Sequence, residues 1–144
     1  MHRILYISTV RRTLSDAELE DILVASRRNN RLADVTGLLV VGNRRFLQVL
    51  EGPEDAVNST FSRISKDQRH YAVVQLNNKA IAARSFARWE MGFQRGGDVN
   101  EGSTLEEQVA SLLEPVTDAN LKAYFNGFAK SHSQPAGETT NMRH

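Results

Sequence analysis

The chain has 144 residues, 40% hydrophobic and 24% charged, enough for one compact domain with a buried core and a small appendage. Its 18 basic and 17 acidic residues nearly cancel, so no broad field draws it to nucleic acid or a membrane surface. Cysteine is absent, His2, His70, His132 and His144 lack metal-ligand spacing, and neither a signal peptide nor a run of about 18 apolar residues occurs. A soluble, cytoplasmic protein without thiol, disulfide or metal chemistry is expected.

Residues 3–9 alternate as a strand, with Ile4, Tyr6 and Ser8 on one face and Leu5 and Ile7 on the other; apolar residues on both faces mark it as central. Ser15 and Glu18 form a capping box and Leu14 can staple onto Leu19, which starts a helix over residues 16–28. Its apolar stripe is Leu19, Ile22 and Leu23, ending at Ser26, with Asn29 and Asn30 in the exit turn. Arg27, Arg28 and Arg31 cluster there, and solvation of a helix end accounts for them.

Residues 36–41 form an apolar strand, Gly42-Asn43 suits a two-residue hairpin turn, and residues 45–51 return antiparallel. Alternation puts Phe46, Gln48 and Leu50 on one face of the returning strand and Arg45, Leu47, Val49 and Glu51 on the other. Gln48 is thus a polar amide among apolar neighbours. A buried amide without partners costs about 1 to 3 kcal/mol, so something offering both a donor and an acceptor must face it.

Pro53, at a first helical position, and the acids Glu54 and Asp55 begin a second helix over residues 53–66, with Val57, Thr60, Phe61 and Ile64 on its sheet-facing stripe. Residues 72–76 give a fourth strand. Trp89, Met91 and Phe93 alternate with Arg88, Glu90 and Gly92 in a fifth.

The order βαββαββ predicts an α+β fold, a ferredoxin-like sandwich with two helices on one sheet face. After Gly96-Gly97 come two more amphipathic helices. One spans residues 104–113, capped by Thr104 and Glu107 and ended by Pro115; the other spans 118–130, with Leu121, Tyr124, Phe125 and Phe128 on one face. Because short amphipathic helices cannot bury their stripes alone, they are expected on the other sheet face. Residues 131–144 have no period and read as a disordered tail. The organisation is therefore a sandwich over 1–95, a helical extension over 96–130 and the tail.

This arrangement turns Tyr6, Ser26, Asn30, Gln48, Trp89 and Met91 toward the layer between sheet and helices. Taken singly, an inward Tyr or Trp is ordinary core and Asn30 an ordinary helix cap; Gln48 resists so plain a reading.

The Tyr6-x-Ser8 strand, ILVASRRNN, VTGLLVVGNRRFLQVLEGP, RISKDQRH and ARSFARWEMGF, in this order, resemble the BLUF domains, blue-light sensors that use flavin. The resemblance covers residues 1 to about 95. For the two C-terminal helices it is architectural only, similar in kind to short single-domain members.

It implies FAD, or FMN or another flavin with the same ring, between the first two helices. By the resemblance Tyr6 and Gln48 face the flavin and carry the photochemistry. Asn30 bonds the ring's carbonyl and N–H edge, Ser26 and Asn29 of the same block join the flavin set, and Ile22 and Ile64 lie against the ring faces. Arg63 and Asp67 lie near the pyrimidine end, although an ordinary surface i,i+4 pair explains those two equally well. Arg69 and His70 fit the pattern too, but solvent exposure is the simpler reading for both.

The implied mechanism has Tyr6 donate an electron to the light-excited ring while Gln48 relays the proton, ending in a different orientation or tautomer. Either Trp89 or Met91 takes the place beside Gln48, and the strand bearing them leads to the C-terminal helices. The output is then a downstream signalling protein, a change in homo-oligomerisation, or both, with no direct contact to nucleic acid or membrane.

A flavin oxidoreductase or a small hydrolase is the rival, but no acid–base pair, triad or metal set emerges. A flavin-free interaction module is the second rival, and the colour of the purified protein separates it from the others.

Overall fold

The computed structural model describes residues 1–95 and 104–132. Its elements, in order, are β1 (His2–Val10), α1 (Asp16–Ala33), β2 (Thr36–Gly42), β3 (Arg45–Gly52), α2 (Glu54–Ser65), β4 (His70–Ala80), β5 (Gly92–Arg95), α3 (Leu105–Leu113) and α4 (Ala119–Ser131). The strands form one sheet in the order β4-β1-β3-β2-β5. β3 therefore lies between β1 and β2, the split βαβ arrangement of a ferredoxin-like fold, with both β3 and β4 antiparallel to β1. The chain divides into two compact units, one of residues 1–39 and 44–93, the other of residues 40–43 and 94–144.

In the first unit the register pairs Tyr6 with Gln48, Ile4 with Leu50 and Ser8 with Phe46. The alternation read from sequence thus puts these six side chains on one face as three cross-strand pairs. Ile4, Leu38, Val49, Leu50 and Val57 are fully buried, and α2 packs on β1, β3 and β4. The central strand expected from two apolar faces is β1.

Several boundaries differ from the sequence reading. α1 does not stop at Arg28 but continues to Ala33, with Asp34 in the left-handed conformation (φ 61°) as its cap. Asn29 and Asn30 are therefore helical residues and not an exit turn. Asn30 tolerates the helix interior because its amide finds a tertiary partner there in place of its own backbone.

The hairpin turn is Asn43-Arg44 and not Gly42-Asn43; Gly42 stays in β2, and Asn43 supplies the positive φ (55°) that a tight hairpin needs. Pro53 precedes α2 as its N-cap rather than opening the helix. β4 is longer than expected and carries a bulge: its register with β1 shifts between Ile7 and Thr9, opposite Ala72, which adopts φ 52°.

The fifth strand is the largest correction. It occupies only Gly92–Arg95, so Trp89, Glu90 and Met91 belong to an irregular connection over residues 81–91. Met91 is buried, while Trp89 is half-exposed and stacks on Phe86 with ring centroids 5.6 Å apart. A local ring partner substitutes for the alternating strand face that the sequence suggested.

In the second unit α3 carries both bonds of the Thr104/Glu107 capping box, and Asp118 caps α4 by accepting from Leu121 N. α3 and α4 pack on each other. Leu121, Phe125 and Phe128 are buried and Tyr124 is exposed. α4 takes in Ser131, expected as the start of the tail. The Gly96-Gly97 connection and residues 133–144 lie outside the described residues.

Candidate functional site

The β1–β3 pairing brings the two residues singled out on these strands into direct contact. Tyr6 donates its phenolic O–H to Gln48 Oε1, and Gln48 Nε2 donates to Met91 Sδ at 3.1 Å. Tyr6 is 1%, Gln48 5% and Met91 2% exposed, so this relay of three side chains is shielded from water. Burial raises the Tyr6 pKa strongly, and the nearby Asp67 charge pushes the same way. The resting phenol is therefore neutral and available as a donor. Phe61 of α2 meets the Tyr6 ring edge-on at 5.3 Å, which fixes the ring's orientation.

Gln48 thus has a partner for each end of its amide. The place beside it, left between Trp89 and Met91 by the sequence, is filled by Met91; Trp89 instead presents its carbonyl to Gly37 N at 2.9 Å.

Tyr6 and Gln48 form part of the wall of a cleft of about 280 Å³. Ile22, Ser26, Asn29 and Asn30 line it from α1, Arg63 and Ile64 from α2, and Asp67 from the turn that follows. Leu39 and Phe46 add apolar surface. Aliphatic side chains from both helices (Ile22, Ile64) together with the amides of Asn29, Asn30 and Gln48 supply the apolar walls and the polar donors and acceptors that a flat aromatic ring with polar rims requires.

Asn30 is 2% exposed and donates its Nδ2 to Glu90 O at 2.7 Å. At the other end Asp67 pairs with Arg69 and not with Arg63, and that bond is the main cause of its carboxyl falling to about 2. The i,i+4 surface pair considered from sequence is absent because α2 ends at Ser65, before Asp67.

Arg69 and His70, assigned to solvent from sequence, also line the cleft. His70 is half-buried, bonded through Nδ1 to Ser8 Oγ at 3.0 Å and edge-on to Phe46 at 5.3 Å; burial lowers its pKa. His70 lies opposite Val10, which shares the β1 face of Tyr6 and Ser8, so the register turns it inward; the sequence reading began the strand only at residue 72 and so gave His70 no face. Buried Thr60 lines the cleft too, as its place on the α2 stripe already suggested. Among the described residues no group of three or more His, Cys, Asp or Glu side chains is arranged to hold a metal ion.

A family model described as "BLUF: Sensors of blue-light using FAD" matches residues 1–92. The chain is 34% identical over 85 residues to the Escherichia coli (strain K12) protein "Blue light- and temperature-regulated antirepressor BluF", covering 59% of this chain and 21% of that one. It is 36% identical over 87 residues to the Euglena longa "Photoactivated adenylate cyclase subunit beta", covering 60% of this chain and 10% of the relative. The solved dark-state structure of BlrB, "a BLUF protein", superposes with a TM-score of 0.66 at 28% identity, covering 90% of this chain and 96% of that one.

The chain belongs to the BLUF family of flavin-based blue-light sensors, and its cofactor is FAD. It spans only about a fifth and a tenth of the two longer relatives.

Proposed function

We propose that this chain is a light-driven signalling switch and not an enzyme, in which Tyr6 and Gln48 carry the photochemistry and Met91 reports it. The observation that carries this reading is the uninterrupted bond sequence from Tyr6 O–H to Gln48 Oε1 and from Gln48 Nε2 to Met91 Sδ. When bound, FAD supplies a one-electron oxidant on absorbing blue light.

Tyr6 is the donor suited to it. Its proton is held in the resting state by burial, and oxidation makes a phenol strongly acidic, so the proton moves along the existing bond onto Gln48. Return of the electron and proton restores Tyr6. Gln48 has meanwhile passed through a protonated amide, in which either rotation or tautomerisation exchanges its donor and acceptor ends. Rotation turns Oε1 toward Met91 Sδ, and tautomerisation leaves Nε2 with a single N–H that it no longer needs to direct at the sulfur; either change releases or weakens the bond to Met91. Ile22, Ile64, Asn29 and Asn30 hold and orient the ring, with Ser26, Arg63 and Asp67 around its rim.

A cleft walled by both helices leaves little room for a second substrate beside a ring, which favours a sensor over an oxidoreductase. Output then passes to a separate signalling protein or to self-association. No helix among the described residues is long and apolar enough to cross a membrane, which is compatible with a cytoplasmic location.

The deciding experiment is the absorption spectrum of the purified flavin-loaded chain in darkness and under blue light. A reversible red shift without net reduction is expected, and Tyr6→Phe should retain flavin but lose the shift. Light-driven bleaching to reduced flavin, or a normal photocycle in Tyr6→Phe, would overturn the reading.

A further inference from the structure

Arg27, Asn30 and Arg31 stand at i, i+3 and i+4 on one face of α1, and all three close onto residues 90 and 91. Arg27 Nε donates to Met91 O at 3.0 Å, Asn30 Nδ2 to Glu90 O at 2.7 Å, and Arg31 Nη1 pairs with the Glu90 carboxylate at 3.1 Å. With Trp89 O bonded to Gly37 N, three successive carbonyls of an irregular segment are taken by donors from elsewhere in the fold. Solvation of a helix end, the reading suggested by the sequence, therefore does not describe Arg27 and Arg31.

The gripped segment is the one that carries Met91, whose sulfur accepts from Gln48. We propose that Arg27 and Arg31 are positioning residues, a cationic latch from α1 that keeps Met91 at Gln48 and so sets how long the light-altered state lasts. The proposal rests on the sensor reading above. Once Gln48 ceases to donate to Met91 Sδ, the segment stays or leaves according to the bonds at its backbone and at Glu90. The latch favours the arrangement with Met91 inward, so weakening it stabilises the displaced segment and slows the return.

The two arginines should behave differently. Arg31 and Glu90 have side chains 64% and 41% exposed, so salt screens their attraction. Arg27 is half-buried and bonds a neutral carbonyl, which salt affects little.

The test uses the flavin-loaded full chain. Arg31→Ala should lengthen the lit-state lifetime about two- to fivefold, the range set by exposed ion pairs, and Arg27→Ala at least as much. Dark spectra and flavin retention should match wild type. Added salt should lengthen the wild-type lifetime but leave Arg31→Ala unmoved, while Arg31→Lys, which keeps the charge, should restore the salt response.

Trp89, the chain's single tryptophan, gives a second readout that needs no photocycle. Its dark fluorescence anisotropy should fall with salt in wild type and start low in Arg31→Ala. Unchanged lifetimes in both alanine variants, or a salt response equal in wild type and Arg31→Ala, would overturn the latch. If wild type gives no spectral shift at all, the sensor reading fails separately, and the Trp89 measurement alone supports the latch or overturns it by the same comparison.

Discussion

At the scale of single residues, two amides in the cleft have opposite duties. Gln48 is shared between Tyr6 and Met91 and must be able to change, whereas Asn30 is tied to Glu90 O and is suited to stay still. Asn30→Ala should therefore weaken flavin binding before it alters photochemistry. Loss of a ring-edge bond worth about 1 kcal/mol predicts roughly a fivefold poorer affinity in titration of the apoprotein, with the spectral shift preserved in whatever flavin remains. Wild-type affinity in this variant would remove Asn30 from the binding set. The pairing of Tyr6 with Gln48 was legible because strand alternation is strict and an amide among Phe46, Leu50 and their neighbours needs an explanation. Arg27 was not legible, since its partner is a backbone carbonyl 64 positions away and no spacing encodes that.

At the scale of elements, what matters is how the connection over residues 81–91 replaces a strand. Trp89, Met91 and Phe93 alternate as a strand should, but the alternation is coincidental: Trp89 stacks locally on Phe86, and the carbonyls of Trp89, Glu90 and Met91 bond to Gly37, Asn30 and Arg27. The two candidate output residues consequently separate. Met91→Ala removes the sulfur that accepts from Gln48, and should change the lit-state recovery rate several-fold while keeping most of the spectral shift. Trp89→Ala should disturb recovery less, because Trp89 touches Gln48 only through the shared segment. Dark-versus-light hydrogen exchange over residues 86–95 measures the coupling, and equal light responses in wild type and Met91→Ala would refute Met91 as the reporter. The overrun of α1 past Arg28 has a similar origin: asparagines signal a stop only when their side chains must serve their own backbone, and here a tertiary carbonyl takes the Asn30 donor.

At the scale of the whole molecule, the first unit is tied together by a buried ion pair on the face of Leu5, Ile7, Leu47 and Val49, where alternation had put Glu51 without giving it a partner. Arg3 of β1 and Glu51 of β3 are directly opposite in register, with side chains 4% and 0% exposed. Glu51 Oε2 accepts from Arg3 Nε and Nη2 at 3.0 and 2.9 Å, and Oε1 accepts from Ser85 N and Phe86 N at 2.8 and 3.0 Å. One carboxylate therefore anchors two central strands and the connection that bears Trp89 and Met91. Burying a charge costs several kcal/mol, and the arrangement is tolerable only because each oxygen has two donors. Glu51→Ala strands the Arg3 guanidinium without its carboxylate and should cost about 3 to 5 kcal/mol in denaturant unfolding. The double variant Arg3→Met, Glu51→Leu removes both charges and should recover only the part of that loss due to the unbalanced charge. It should not recover all of it, because Ser85 N and Phe86 N lose their acceptor in either background, at about 1 to 3 kcal/mol for each donor left buried. A Glu51→Ala protein within about 1 kcal/mol of wild type would show that the pair is not what secures this end of the sheet, and a double variant no more stable than Glu51→Ala would assign the loss to the two peptide N–H groups rather than to the unbalanced charge of Arg3.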